Sequence, residues 1–297
     1  MLLLRRLARI FEDPPPEYVF ELSGAGIAYA RHGHPPQTGF RRLEPGVVAV
    51  SPLEDNVLNA EALVAGVKAA GGANGSRKRK PAALILPDYC ARVTVLDFDD
   101  FPSEPGEQMS LVRFRTKKTV PFDIDSAAVS YEVQPKQGGR KTVEVVVAAV
   151  ALEIIARYEA AFRAAGYYPG FITTSALGVL RLLRGFGLTV AARWNGHTMT
   201  VSVQQGGALK LLRCVEFPEV GIPEVLAMLH PTFAFIEDEL GARPDKLFLC
   251  GFGDFTGLFR AQCAEDLDVT VEPLQSRFGT PGPDNAGLLG YLDSVEV

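Results

Sequence analysis

The sequence predicts a two-lobed α/β protein carrying a small inserted α/β subdomain, and three observations point that way. Glycine-bearing turns close predicted strands at three distant places: Ser23-Gly24-Ala25-Gly26, Asn195-Gly196 and Gly251-Phe252-Gly253. Glycine at such joints lets the backbone take positive φ and approach a ligand closely. Strand-like and helix-like patterns alternate along most of the chain, as sheets flanked by helices require. That alternation changes character after Leu86 and returns at Thr173, which marks an insertion.

The first lobe opens with a hairpin of Tyr18–Leu22 and Ile27–Arg31. Residues Gly39–Val50 are rich in β-formers, and Ala60–Ala70 repeats apolar residues at helical spacing. Gly71–Lys80 reads as a flexible basic loop, and the continuous apolar run Ala82–Leu86 as a strand buried on both faces. Within the insertion, Val93, Val95 and Asp97 belong to an alternating strand, and Glu107–Lys118 forms a helix. Val120-Pro121 ends that helix, because the residue before proline is pushed out of the helical region. Ala127–Gln134 and Lys141–Ala149 pair across Lys136–Arg140, and the helix Ala151–Ala165 is closed by Gly166.

After the insertion, a helix is predicted over Thr173–Gly185 with Leu177, Leu180 and Leu183 on one side. Leu188–Arg193, Thr198–Val203 and Leu209–Val215 form a meander, with Asn195-Gly196 as the tight turn that right-twisted strands favour. A helical stretch Pro223–Leu240, a strand Lys246–Cys250, a helix from Phe255, a strand Val269–Glu272 and a helix Ala286–Tyr291 complete the chain. The expected division is residues 17–90 plus 166–187 for the first lobe, 91–165 for the insertion and 188–297 for the second lobe, with 1–16 as a separate N-terminal segment.

With 297 residues, 47% hydrophobic and 22% charged, the chain has the composition of a globular protein with room for two lobes. A net charge of −5 gives no reason to expect nucleic acid. The four cysteines, Cys90, Cys214, Cys250 and Cys263, form no C-x-x-C pair and read as buried free thiols in a reducing compartment. The four histidines are scattered, so no metal is expected. No stretch approaches the roughly 20 apolar residues that span a bilayer. Leu3, Leu4, Leu7, Ile10 and Phe11 fall on one side of an N-terminal helix, and Arg5, Arg6 and Arg9 on the other. Through residues 2–11 that helix either lies on an anionic membrane surface or docks on its own domain.

The insertion carries a resemblance. Leu111–Val133 (LVRFRTKKTVPFDIDSAAVSYEV) combines a helix, an "iPf" step, acidic residues and a tyrosine-bearing strand. Val143–Val150 (VEVVVAAV) and the helix ending Ala164-Ala165-Gly166-Tyr167-Tyr168-Pro169 continue the pattern. In these features the chain resembles the PilM family of type IV pilus assembly, whose fold is related to that of the cell-division protein FtsA. The resemblance covers roughly residues 17 to 292. It implies an actin-like (ribonuclease H-like) fold with an inserted β-α-β-β-α subdomain, called 1C in the family. The short interval between Val215 and Lys246 implies a reduced subdomain 2B.

By that resemblance the three turns surround ATP, but each departs from the family pattern. Glu21-Leu22-Ser23, with Gly24 and Gly26, stands where Asp-Ile-Gly is usual. Arg193-Trp194-Asn195-Gly196-His197-Thr198 lacks the second carboxylate, and arginine repels a divalent cation while remaining able to contact phosphate. Phe252, between Gly251 and Gly253, is expected to obstruct the adenosine side. ATP and magnesium are therefore expected to bind weakly or not at all. The alternative is an active ATPase using Glu21, Ser23, Gly24 and Thr198 on the phosphates. A small-molecule kinase is disfavoured because the second-turn motif has no candidate catalytic aspartate.

The resemblance further implies a cytoplasmic scaffold at the inner face of the cytoplasmic membrane that holds the cytoplasmic tail of a PilN-like inner-membrane protein. Self-association is a second possibility that it leaves open. Arg113, Phe114, Arg115, Pro121, Phe122 and Ile124 are the expected groove residues. The cluster Arg113, Arg115, Lys117 and Lys118 reads equally as a partner-facing surface and as a solvated helix face.

Overall fold

The computed structural model describes residues 15–33, 35–72, 78–135, 142–183, 187–219 and 221–295. The N-terminal segment 2–11, half of the expected basic loop (73–77) and the hairpin turn 136–141 lie outside them.

Strands β1 (Tyr18–Leu22), β2 (Gly26–Arg31) and β3 (Gln37–Arg42) form an antiparallel meander. Helix α1 (Ala60–Gly71) starts where the Asn59 side chain accepts from the Ala62 N–H, an N-cap that satisfies one of the free donors of the first turn. It leads to β4 (Lys80–Leu86), parallel to β1. The apolar run thus becomes an interior strand, with Ala82 to Leu86 buried on both faces.

The chain then builds β5 (Ala91–Phe98), α2 (Pro105–Thr116), β6 (Ala127–Val133) and β7 (Val143–Ala151). These strands make a separate three-stranded sheet in the order β5-β7-β6. Helix α3 (Leu152–Ala164) follows, and its Ile154, Tyr158, Ala161 and Phe162 join the core of the first lobe rather than that of the small sheet. Phe20 of β1 meets Phe162 edge-on at 5.2 Å and Tyr167 at 4.9 Å. This aromatic cluster ties the first sheet to the helix behind it.

Strand β8 (Tyr167–Thr174) returns parallel to β4 and completes the order β3-β2-β1-β4-β8. The sequence reading has no strand here, because Pro169 and Gly170 read as a junction. The strand survives at the sheet edge, with its register shifting between Ala82 and Ala83 beside that proline, where a missing N–H is tolerated. The helix expected over Thr173–Gly185 begins at Ser175, runs as α4 (Ser175–Val179) and continues as a 3₁₀ turn over Leu180–Leu183.

The second lobe repeats the same plan. Strands β9 (Leu188–Asn195), β10 (Thr198–Gln205) and β11 (Ala208–Glu216) form the meander. Helix α5 (Ile222–Phe235), continued by a π-turn over Ile236–Leu240, leads to β12 (Lys246–Cys250). Helix α6 (Thr256–Leu267) leads to β13 (Val271–Pro273), and the order β11-β10-β9-β12-β13 mirrors the first sheet. Among the described residues, α5 with its π-turn is the only helical segment between β11 and β12.

Helix α7 (Ala286–Val295) crosses back to the first sheet, packing Leu288, Leu289 and Leu292 on Val19, Ala28 and Ile85. It also touches α4 backbone to backbone. A Cβ at Gly290 would lie 2.1 Å from the Gly178 carbonyl oxygen, so only glycine fits. Gly290→Val is expected to cost about 1–3 kcal/mol through overpacking. Urea unfolding measures it, and an unchanged midpoint would mean that the helices separate freely.

Candidate functional site

The two sheets face each other across a cleft of about 310 Å³ whose lining includes Glu21, Gly24, Asp88, Arg193, Gly196 and Thr198. Its chemistry follows from what each polar group already holds.

The β1–β2 turn is closed by its own side chain. Ser23 Oγ accepts from the Ala25 N–H at 3.3 Å and the Gly26 N–H at 3.2 Å, which leaves the hydroxyl committed to the turn. Gly26 faces protein rather than ligand, since a Cβ there would lie 2.3 Å from the Arg41 carbonyl oxygen. Gly24 is the open position, with the Val48 carbonyl oxygen 3.8 Å from its virtual Cβ.

Glu21 lies on β1 and is buried. Its carboxylate accepts from the Ser175 hydroxyl, from the Gly287 N–H at 3.3 Å and from the Leu288 N–H at 2.6 Å. It therefore caps the start of α7, where free N–H groups and the helix dipole favour negative charge. Burial pushes its pKa up, opposed by Arg193, the Ser175 hydroxyl and the Leu288 N–H. Both oxygens are occupied by this capping, so Glu21 is poorly placed to order water around a magnesium ion.

In the β9–β10 turn, Gly196 takes φ 58° and Thr198 Oγ1 donates to the Asn195 carbonyl at 3.0 Å. The Asn195 amide donates to the Pro283 carbonyl and, at 3.1 Å, to Asp284 Oδ1. Beside them Arg193 is 6% exposed. It forms an ion pair with Asp88 and donates from Nη1 to the Pro283 carbonyl at 3.0 Å. Burial acts against its charge, but Asp88 and Glu21 outweigh burial and hold its pKa above the ordinary arginine value.

Asp88 is the residue that sequence reasoning missed. It follows Pro87 at the end of β4, and its carboxylate accepts from Arg193, from Thr200 Oγ1 at 2.8 Å and from the Ala176 N–H at 2.6 Å. A lone acidic residue directly after a buried apolar strand was the available signal. The result is a buried cluster in which Arg193 pairs with Asp88 and its charge also acts on Glu21.

The third turn lies apart from the cleft lining. Gly251 has φ 86° and its Cβ would fall 2.0 Å from the Trp194 carbonyl oxygen, so the glycine serves chain packing. Gly253 has φ 53° and open surroundings. The expected obstruction by Phe252 is corrected: the side chain is 3% exposed and points into the second-lobe core, against Trp194 and Phe259. The turn reverses the side chain's direction, which the residue type alone does not reveal.

On the inserted unit, Phe114 is 70% exposed, Pro121 is exposed and Phe122 is half-buried. Ile124, by contrast, is a core residue packed with Ala127 and Ala149. Arg113 donates to the carbonyls of Ile124 at 2.5 Å and Ala127 at 3.2 Å, fastening α2 to the turn after it. Arg115 lies over the Phe98 ring at 5.1 Å. The outward surface is thus Phe114, Pro121 and the edge of Phe122. Among the described residues no cluster of histidine, cysteine or acidic side chains has the geometry to hold a metal, and no helix is long and apolar enough to cross a membrane.

No protein-family model matches the sequence, and no curated protein matches it. Comparison of structures defines the class: this is a protein of the actin-like ATPase fold. Its version of that fold is PilM-like. A structure described as a PilM-PilN type IV pilus biogenesis complex matches with a TM-score of 0.76 at 18% identity, over 96% of this chain and 100% of that one. A Bacteroides thetaiotaomicron protein with an actin-like ATPase fold and unknown function matches with a TM-score of 0.54 at 13% identity, over 86% and 91%. The cytoplasmic domain of EpsL, an inner-membrane component of the Vibrio cholerae type II secretion system, matches at 0.52 and 13%, over 94% of each chain.

Proposed function

We propose that this protein is a cytoplasmic scaffold of a type IV pilus or related secretion assembly platform, and that it binds the cytoplasmic tail of a PilN-like membrane protein. The observation that carries this reading is the match to the PilM-PilN complex over the whole of that chain. The EpsL match, to an inner-membrane component of a type II secretion system, supports the same class of role. The site on the inserted unit suits an extended peptide. Exposed Phe114 and Pro121 offer apolar contact, and edge strand β6 offers main-chain pairing.

Removing an aromatic anchor from such an interface commonly costs 2 kcal/mol or more, roughly thirtyfold in affinity. Phe114→Ala and Phe122→Ala are therefore each expected to weaken binding of a PilN-like tail peptide far more than Arg260→Ala on the distant helix α6. Fluorescence anisotropy measures the affinities, with circular dichroism to confirm folding. Equal affinities would move the groove elsewhere, and no binding by the parent protein would end this reading.

The scaffold works without nucleotide on this proposal. A ligand present at a hundredfold excess over Kd stabilises the native state by about 2.7 kcal/mol. Millimolar Mg-ATP is expected to give no appreciable melting shift, because Asp88 is already held by Arg193 and Thr200 and Glu21 by α7. A shift of several degrees that is lost in Gly24→Val would instead establish the ATPase.

A further inference from the structure

We infer that the lobes are clasped shut by the chain's own buried side chains at two separate places, so that the closed arrangement does not depend on a bound nucleotide. The first clasp joins the two five-stranded sheets. Asp88, at the end of β4, receives Arg193 from β9 and Thr200 from β10. In this position the guanidinium supplies, from inside the chain, the cation that draws facing walls of a cleft together.

The second clasp joins the inserted unit to the edge of the second sheet. Gln134, just beyond β6, donates from Nε2 to the Leu209 carbonyl at 2.7 Å, and its Oε1 accepts from the Leu209 N–H at 2.7 Å. The side-chain amide thereby pairs with edge strand β11 as a neighbouring strand would. One residue on, Lys210 Nζ donates to both oxygens of Glu144, at 2.8 and 2.6 Å, with both side chains buried.

The two clasps lie on different elements but oppose the same motion. The insertion leaves the first lobe after β4 and re-enters it through α3. Moving the second sheet away from the first therefore strains both contacts unless the insertion swings with it. Each clasp also buries charged or amide groups, which lose their partners before water can replace them.

Hydrogen exchange on the full chain tests this by reading each clasp while the other is weakened. With Gln134→Ala/Lys210→Met, the guanidinium protons of Arg193, held by Asp88 in the first clasp, are expected to exchange at least tenfold faster. With Arg193→Met, the Leu209 N–H in the second clasp is expected to do the same. In both variants Phe20 and Val190, central in their sheets, should exchange as in the parent, which shows that the fold is kept. Arg193→Lys serves in its place if the methionine variant unfolds. Millimolar Mg-ATP should leave every parent rate within twofold. Acceleration confined to the mutated clasp overturns the inference, and so does a tenfold or greater slowing by Mg-ATP. Tail-peptide binding does not enter the measurement, so the scaffold reading can fail while this one stands, and the reverse.

Discussion

Asp88→Ala is expected to be the most damaging single substitution outside the apolar core. It strands a guanidinium that is 6% exposed, and it also leaves the Thr200 hydroxyl and the Ala176 N–H without their acceptor. Removing one partner of a buried ion pair costs about 3–5 kcal/mol, because the remaining charge is uncompensated. At roughly 2–4 °C per kcal/mol for domains of this general size, the midpoint should fall on the order of 10 °C. Asp88→Ala/Arg193→Met removes both charges and is expected to recover a large part of that loss, since well-packed apolar replacement of a buried pair is often nearly neutral. Calorimetry or urea unfolding of the three proteins settles it. A single variant within about 1 kcal/mol of the parent would show that water already reaches Arg193.

Phe20→Ala should be comparably severe for a different reason. Phe20 is fully buried at the centre of β1 and touches Phe162 and Tyr167 edge-on. Truncating such a ring costs about 3–5 kcal/mol from lost burial and the cavity left behind. The informative part is where the loss is felt. Trp194 is the single tryptophan and lies in the second-lobe core, so its fluorescence reports on that lobe alone. If the lobes unfold as one unit, Phe20→Ala lowers the fluorescence midpoint and the circular-dichroism midpoint together. Tryptophan fluorescence holding its parental midpoint while circular dichroism falls would show independent lobes.

The sequence disclosed those parts of the fold that depend on local patterning. The apolar run Ala82–Leu86 announced an interior strand, and Asn195-Gly196 announced a tight hairpin because positive φ is needed there. The insertion was legible from its hairpin and from a helical pattern that ends, in the structure, at Thr116 rather than at the Val120-Pro121 step. Strand β8 was hidden by Pro169-Gly170, whose edge position and register shift exist only once the sheet has formed. Within the cleft, the lack of a carboxylate in the Arg193–Thr198 turn was plain, but the partner of Arg193 was not. Asp88 stands 105 positions away, and nothing local marks such a pairing. The directions of Phe252 and Ile124 were likewise invisible, because a turn or a short 3₁₀ segment decides which way a side chain faces.

The capping of α7 by Glu21 has a bearing on how the protein is made. The Leu288 N–H that receives this carboxylate lies 267 positions further along the chain. At ribosomal speeds of about 5–20 residues per second, β1 waits on the order of tens of seconds for it. Throughout that interval the nascent first sheet exposes the apolar face of Val19, Ala28 and Ile85 that α7 will cover. The lobe begun first is thus among the last to be finished. A chain stalled before residue 286 should be a strong client for holdase chaperones, while one released after Val295 should escape them.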